Sequence, residues 1–190
     1  MVRAFVSIRD ADLDFENSLV RITANRTCPE IKLAGLSVGP FDEGSDYEVC
    51  YWVAQELVNS GVARFHAEDQ LDVGKLGKIQ WMERVQTAGQ MSKLPEGFYP
   101  RLRRCIAEAR KGMVNNPEKM REFERMDQLT KDIVNSRLKK IVTFATSPAQ
   151  TESSMRNLTV EERLLYEQLF QVISKWKTQI MNHKEKETDG

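Results

Sequence analysis

The residues able to do chemistry in this chain are few and scattered. The histidines, His66 and His183, lie far apart, and the three cysteines, Cys28, Cys50 and Cys105, are odd in number and widely spaced. A histidine beside Cys50 would make a nucleophile pair only with a third group to orient it and a loop to hold an oxyanion. The sequence supplies neither. Gly35, Gly39 and Gly44 lack the spacing of a phosphate-cradling loop. No His-x3-His, Cys-x2-Cys or EF-hand pattern offers a metal site. The acidic pairs Asp10/Asp12 and Glu161/Glu162 read as loop solvation and as helix N-terminal charge. What remains is a basic run: Arg101, Arg103, Arg104, Arg110 and Lys111, with Tyr99 available for stacking. Such a helix would either neutralise phosphates or form a solvated face paired with acids such as Glu96 and Glu108. Arg137, Lys139 and Lys140 read as a similar solvated face.

Bulk composition narrows the choice. Lys+Arg and Asp+Glu stand at 28 each, so the chain lacks the positive excess usual in a protein that grips duplex DNA. No apolar run approaches the ~18 residues of a membrane span. The start, Met1-Val2-Arg3-Ala4-Phe5, is too soon interrupted by Asp10 and Asp12 to read as a signal peptide. The cysteine spacing suits buried thiols in a reducing compartment, so we expect a soluble intracellular protein.

The elements that would position any site change character near residue 70. Val2–Ile8, Leu19–Thr23 and Ile31–Leu36 read as strands, with the polar stretches 10–17 and 24–30 as turns. Ser45-Asp46-Tyr47-Glu48 has capping-box spacing, which predicts a helix carrying Val49, Trp52, Val53 and Leu57 and ending at Gly61. Trp52 would pack that helix, and Val62–Phe65 would return as a short strand. Beyond residue 70 the rhythm is helical. Asp72 caps a helix bearing Leu76, Ile79 and Met82, and Pro100 opens one bearing Leu102, Cys105, Ile106, Ala109 and Met113. From Pro117, the residues Met120, Phe123, Met126, Thr130, Ile133, Val134, Leu138, Ile141, Val142 and Ala145 predict a helix roughly 40 Å long. Residues 147–157 read as an exposed loop, and Thr159-Val160-Glu161-Glu162 is a second capping box. The helix after it should turn Leu164, Leu165, Leu169, Val172, Ile173, Trp176 and Ile180 inward. The expectation is an α+β fold, mostly α: a small β-rich domain with one helix over 1–70, a helical bundle with long helices over 71–182, and a disordered tail over 183–190. Stripes this broad either fill a self-contained core or face another subunit.

Between the first two helices of that bundle lies the elbow Leu94-Pro95-Glu96-Gly97-Phe98-Tyr99, an apolar anchor, a proline turn and two aromatics. Leu94 and Phe98 would seat one helix on the next, with Tyr99 near the surface. Together with four other segments this elbow resembles the GINS family of replication proteins, over roughly residues 38–180. The others are Val38-Gly39-Pro40-Phe41 followed by Val49–Ala54, the run Leu71–Ile79, Arg137-Leu138-Lys139-Lys140-Ile141, and Leu158-Thr159-x-Glu161-Glu162. The β-first order resembles the Psf-two/Psf-three branch, on the Psf-two-like side, and the compact layout leans archaeal.

The resemblance implies a non-catalytic scaffold without cofactors or metals. It implies assembly with a paralogous subunit, commonly as a 2:2 tetramer, bridging the MCM helicase to a RecJ-like or CMG component, with primase or DNA polymerase as further partners. Direct DNA contact would be weak or absent, and the location would be the archaeal cytoplasm or nucleoid, or the nucleus of a eukaryote. Trp52, Leu94, Pro95, Phe98, Tyr99, Arg137, Ile141, Leu165, Leu169 and Trp176 are its interface or landmark candidates. The alternative is a DNA-binding adaptor that uses Arg101, Arg103, Arg104 and Lys111 of the basic helix 101–111.

Overall fold

A computed structural model of the protein describes residues 7–33, 35–86, 90–113, 116–146 and 155–181. Most of the strand expected over Val2–Ile8, the tail and most of the 147–157 loop fall outside them, as does His183, and Ile8 itself is helical. The fold is α+β and mostly α, with strands first and a helical bundle after them.

The chain opens with a helix where a turn was expected. Helix α1 (Ile8–Glu16) begins at Ser7, whose hydroxyl accepts from the Asp10 amide at 3.3 Å. It buries Ala11 and Phe15, one turn apart. Strand β1 (Leu19–Ala24) follows, buries Val20, Ile22 and Ala24, and is the centre of a three-stranded antiparallel sheet. The predicted third strand is instead a hairpin, β2 (Ile31–Leu33) and β3 (Leu36–Val38), turning at Gly35 with φ of +90°. A left-handed φ is what glycine supplies without steric cost.

The Ser45–Glu48 capping box does not form. Asp46–Cys50 is strand β4, in register with β1 from Thr23↔Asp46 to Leu19↔Cys50. The pairing satisfies the backbone groups that a cap would have served, and Asp46 accepts from the Thr23 hydroxyl at 2.7 Å. Helix α2 (Tyr51–Asn59) therefore starts later and packs through Val53, Ala54 and Leu57. Trp52 stands 39% exposed and does not anchor it. Gly61, at φ +71°, turns the chain into β5 (Ala63–Phe65), which completes the sheet on the other side of β1. A core of Ile22, Phe41, Val49 and Ala54 lies between sheet and helix.

A short 3-10 turn (Ala67–Asp69) leads into the bundle. Helix α3 (Val73–Val85) is capped by Asp72, whose Oδ1 accepts from the Lys75 amide at 2.7 Å. Helix α4 (Phe98–Gly112) carries Pro100 in its first turn, where the missing N–H has no role. Asn116 accepts from the amides of Glu118 and Lys119 to start α5 (Pro117–Thr146), 30 residues or about 45 Å long. The Thr159 capping box does form: its hydroxyl accepts from the Glu162 amide while its own amide donates to Glu162. It opens α6 (Val160–Met181). Helix α5 is the hub, packed against α3, α4 and α6. Leu76, Leu94, Phe98, Met126 and Ile133 fill one core, and Met91, Ile141, Phe144, Leu158 and Tyr166 a second.

Candidate subunit interface

Charge occupies the middle of the bundle. Arg137 on α5 is 0% exposed and holds a carboxylate on either side. Its Nη1 donates to Glu83 of α3 at 2.5 Å and to the Ser92 carbonyl at 3.0 Å. Its Nη2 donates to Glu162 of α6 at 2.7 Å and to the Asn157 carbonyl at 3.1 Å, and its Nε also reaches Glu162. One turn on, Lys140 donates to the other oxygen of Glu83 at 2.7 Å. The Ser92 hydroxyl donates to Glu83, and the Tyr99 hydroxyl to Glu162 at 2.6 Å. Helices α3, α4, α5 and α6 and the segment ahead of α4 are thus tied to one guanidinium.

Pairing favours the charged forms of Glu83 and Arg137. Burial by itself would raise the Glu83 carboxyl, but hydrogen bonds from Lys140 and Ser92 and the charge of Arg137 hold it below its ordinary value. Burial works to lower Arg137, and Glu162 and Glu83 outweigh it and raise it. Burial, then the charge of Glu162, push the Tyr99 phenol far upward, so it serves as a fixed donor. Nothing in the cluster points at open space, and it acts as a structural clamp.

Several expectations change here. Arg137 and Lys140 are buried, and of that basic run only Lys139 remains a solvated charge. Tyr99 is turned into the cluster and not toward the surface. Leu94 and Phe98 are buried as a seat between helices, and Ile141 lies in the second core, while Pro95 is exposed. Glu83, Ser92, Lys140 and Glu162 were missed as site residues. A signal existed: Glu83 follows Leu76 and Ile79, and Arg137 stands between Ile133 and Ile141, at helical core spacing. A charge at a core position demands an opposite one.

The basic helix is largely answered within the chain. Arg103 pairs with Asp12, Arg104 with Glu16 at 2.9 Å, and Arg101 donates to the Asp69 carbonyl at 2.9 Å. Arg110 and Lys111 remain exposed at the helix end, with Arg110 over the Phe123 ring. His66 sits at the junction of the two regions with no acid or thiol partner among its described hydrogen bonds. Among the described residues no cluster of three or more His, Cys, Asp or Glu could hold a metal. No described helix is long and apolar enough to cross a membrane.

Apolar surface is what the molecule leaves open. In the first half of α6, Leu165, Tyr166, Leu169 and Ile173 pack into or against the second core. Val172, Trp176 and Ile180, which were expected inside with them, are 67%, 60% and 61% exposed. Two reasons apply. Val172 and Trp176 lie off the line of Tyr166, Leu169 and Ile173 that meets the core, while Ile180 and Met181 lie past Lys177, whose ammonium reaches the carbonyl of Thr146, the last residue of α5. Val134, Leu138 and Val142 on α5, and Trp81 and Val85 on α3, also face out.

Against known proteins, a family model described as the GINS complex protein helical bundle domain (Sld5) matches residues 70–181. The chain belongs to the GINS family. The chain is also 27% identical over 157 residues to the human DNA replication complex GINS protein PSF2, a match covering 80% of each chain. The GINS match begins just after the 3-10 turn and takes in α3 to α6, and so contains the whole charge cluster and the open stripe of α6. The other landmarks read for this family land on structural roles. Asp72 is a cap, Phe41 is buried in the sheet core beside Gly39, and Thr159 is half of a formed capping box.

Proposed function

We propose that this chain is a non-catalytic subunit of the GINS DNA replication complex, acting as a scaffold through its helical bundle. The observation that carries the reading is the apolar end of α6: Trp176, Ile180 and Met181 are exposed on a helix whose earlier turns are packed. An apolar stripe of this kind is stabilised by burial against another protein. Membership in a family of complex-forming proteins makes other GINS subunits the first partners. The family match and the human PSF2 relative support the replication setting.

In this reading, Trp176 is a contact, with Leu165 and Leu169 steadying its helix, and Trp52 and Pro95 are secondary surface candidates. The assembly is a 2:2 or otherwise four-subunit complex that bridges the MCM helicase to a RecJ-like component, with primase or polymerase reached through it. Its place is the nucleus of a eukaryote or the nucleoid of an archaeon. Helicase stimulation would be a binding effect, since the groups held together in the bundle are all spent on one another.

The test is co-expression with a paralogous GINS subunit followed by light scattering. The expected result is a stable hetero-oligomer, with self-association of the lone chain. A well-behaved monomer indifferent to the paralogue would overturn the reading.

A further inference from the structure

Helix α1 sits at the joint between the sheet region and the bundle, and it is held like a ligand. The rings of Phe15 and Tyr51 touch, with centroids 4.8 Å apart, and the Arg104 guanidinium of α4 stands over both, at 4.8 and 4.2 Å from their centroids, and pairs with Glu16. Arg103 pairs with Asp12, one turn before Glu16. Arg101 also stands over Phe15 at 5.6 Å, and Tyr51 stacks on Phe65 at 5.4 Å. A Cβ on Gly97 would lie 2.5 Å from the Phe15 ring, so only glycine at that position lets the ring seat. Three observations bear on how firmly α1 is held. The helix has nine residues, too few to persist alone in water. It buries only Ala11 and Phe15, while Ile8 and Leu13 are more than half exposed. A cleft remains open beside Phe15, lined by Val20, Phe65, Leu71 and Cys105, so the seat is larger than its occupant.

We propose that this groove is a recognition site and that α1 is its exchangeable, self-supplied occupant. The external ligand is a helical segment of a partner protein with the pattern that α1 itself presents: an aromatic residue followed by a carboxylate, with a second carboxylate one turn earlier, as in Asp12, Phe15 and Glu16. Two arginines match that spacing and an aromatic wall receives the ring. A nucleic-acid strand fits less well, because Asp69 and Glu108 line the same cleft and would repel a continuous run of phosphates.

The experiment uses the full chain and a fluorescent peptide of residues 7–18 as the probe, read by anisotropy. The intact chain should bind it at least tenfold more weakly than Phe15→Ala/Glu16→Gln, in which the internal occupant is weakened. Adding Arg104→Glu to that variant should abolish the gain, and a peptide carrying the same two substitutions as α1 should not bind. A folded variant that ignores the peptide, or that prefers a thymidine oligonucleotide to it, overturns the proposal. If the variant fails to fold, hydrogen exchange on the intact chain decides. Amides of α1 should exchange at least tenfold faster than those of β1, and equal rates would make α1 a permanent part of the fold.

Discussion

The centre of the bundle and the far end of α6 invert the usual arrangement of a folded chain. At the centre, Glu83, Arg137, Lys140 and Glu162 are buried. At the end of α6, Trp176 and Ile180 face outward. Both regions lie within one family-matched domain, and the same helix supplies Glu162 and Trp176. The difference is partners: every central charge meets an opposite charge inside the chain, whereas the apolar end has no inner surface left to meet. Buried ion pairs contribute little against an apolar replacement but fix which groups must come together. Exposed apolar surface contributes nothing until a second protein arrives. The centre therefore specifies which groups the fold must bring together, and the end is the surface that the proposed association would bury.

The comparison breaks most visibly at Arg137. Substituting Arg137→Met strands the Glu162 carboxylate and leaves Glu83 with Lys140 alone, and should cost about 3–5 kcal/mol, lowering the melting temperature on the order of 10 °C in calorimetry. Removing the charges together, as Glu83→Gln/Arg137→Met/Lys140→Met/Glu162→Gln, should cost less than the single change. A larger loss would mean that packing, and not charge pairing, holds the centre.

At the other pole, Trp176→Lys/Ile180→Lys should leave the chain's own stability within about 0.5 kcal/mol per site. Binding to a GINS paralogue should weaken by about 2 kcal/mol or more, roughly thirtyfold, in a titration. Loss of the lone chain's stability instead would place those side chains in an internal core.

The pH response sharpens the same contrast. The folded Glu83 carboxyl titrates below its ordinary value of 4.5, so its contribution is complete above that value and is lost as pH falls through the folded one. Acid melts should show Glu83→Gln flattening the fall in stability below about pH 4.5, while the Trp176→Lys/Ile180→Lys variant keeps the slope of the parent. The smallest effect is at the cap. Thr159→Ala should cost about 1 kcal/mol and fray the start of α6, which also loosens Glu162.

Local signals made much of this legible. Asp72, Asn116-Pro117 and Thr159–Glu162 mark their helix starts because a cap is an interaction among neighbours in the chain. Ser45–Glu48 carried the same kind of signal and became strand, because β1 offered its backbone a full ladder. Helix α1 was overlooked although Ser7, Ala11 and Phe15 spelled out a cap and one apolar face, since its acids read as turn material. For α6 the periodicity was correct, but periodicity gives a face and not what stands opposite it.

The amino-acid order alone determined the α+β class, the β-first arrangement, the main helices of the bundle and the five landmarks of the family, all of which depend on neighbours or on short repeats. Only the tertiary structure decided that Arg137 lies inside and Trp176 outside, and that the basic face of α4 is covered by α1. Those outcomes depend on which distant residues meet. The pairs Arg137–Glu83 and Arg104–Glu16 are 54 and 88 positions apart. A charge or an indole carries the same local preference at either place, and the free energy of its position is set by the partner that folding brings to it.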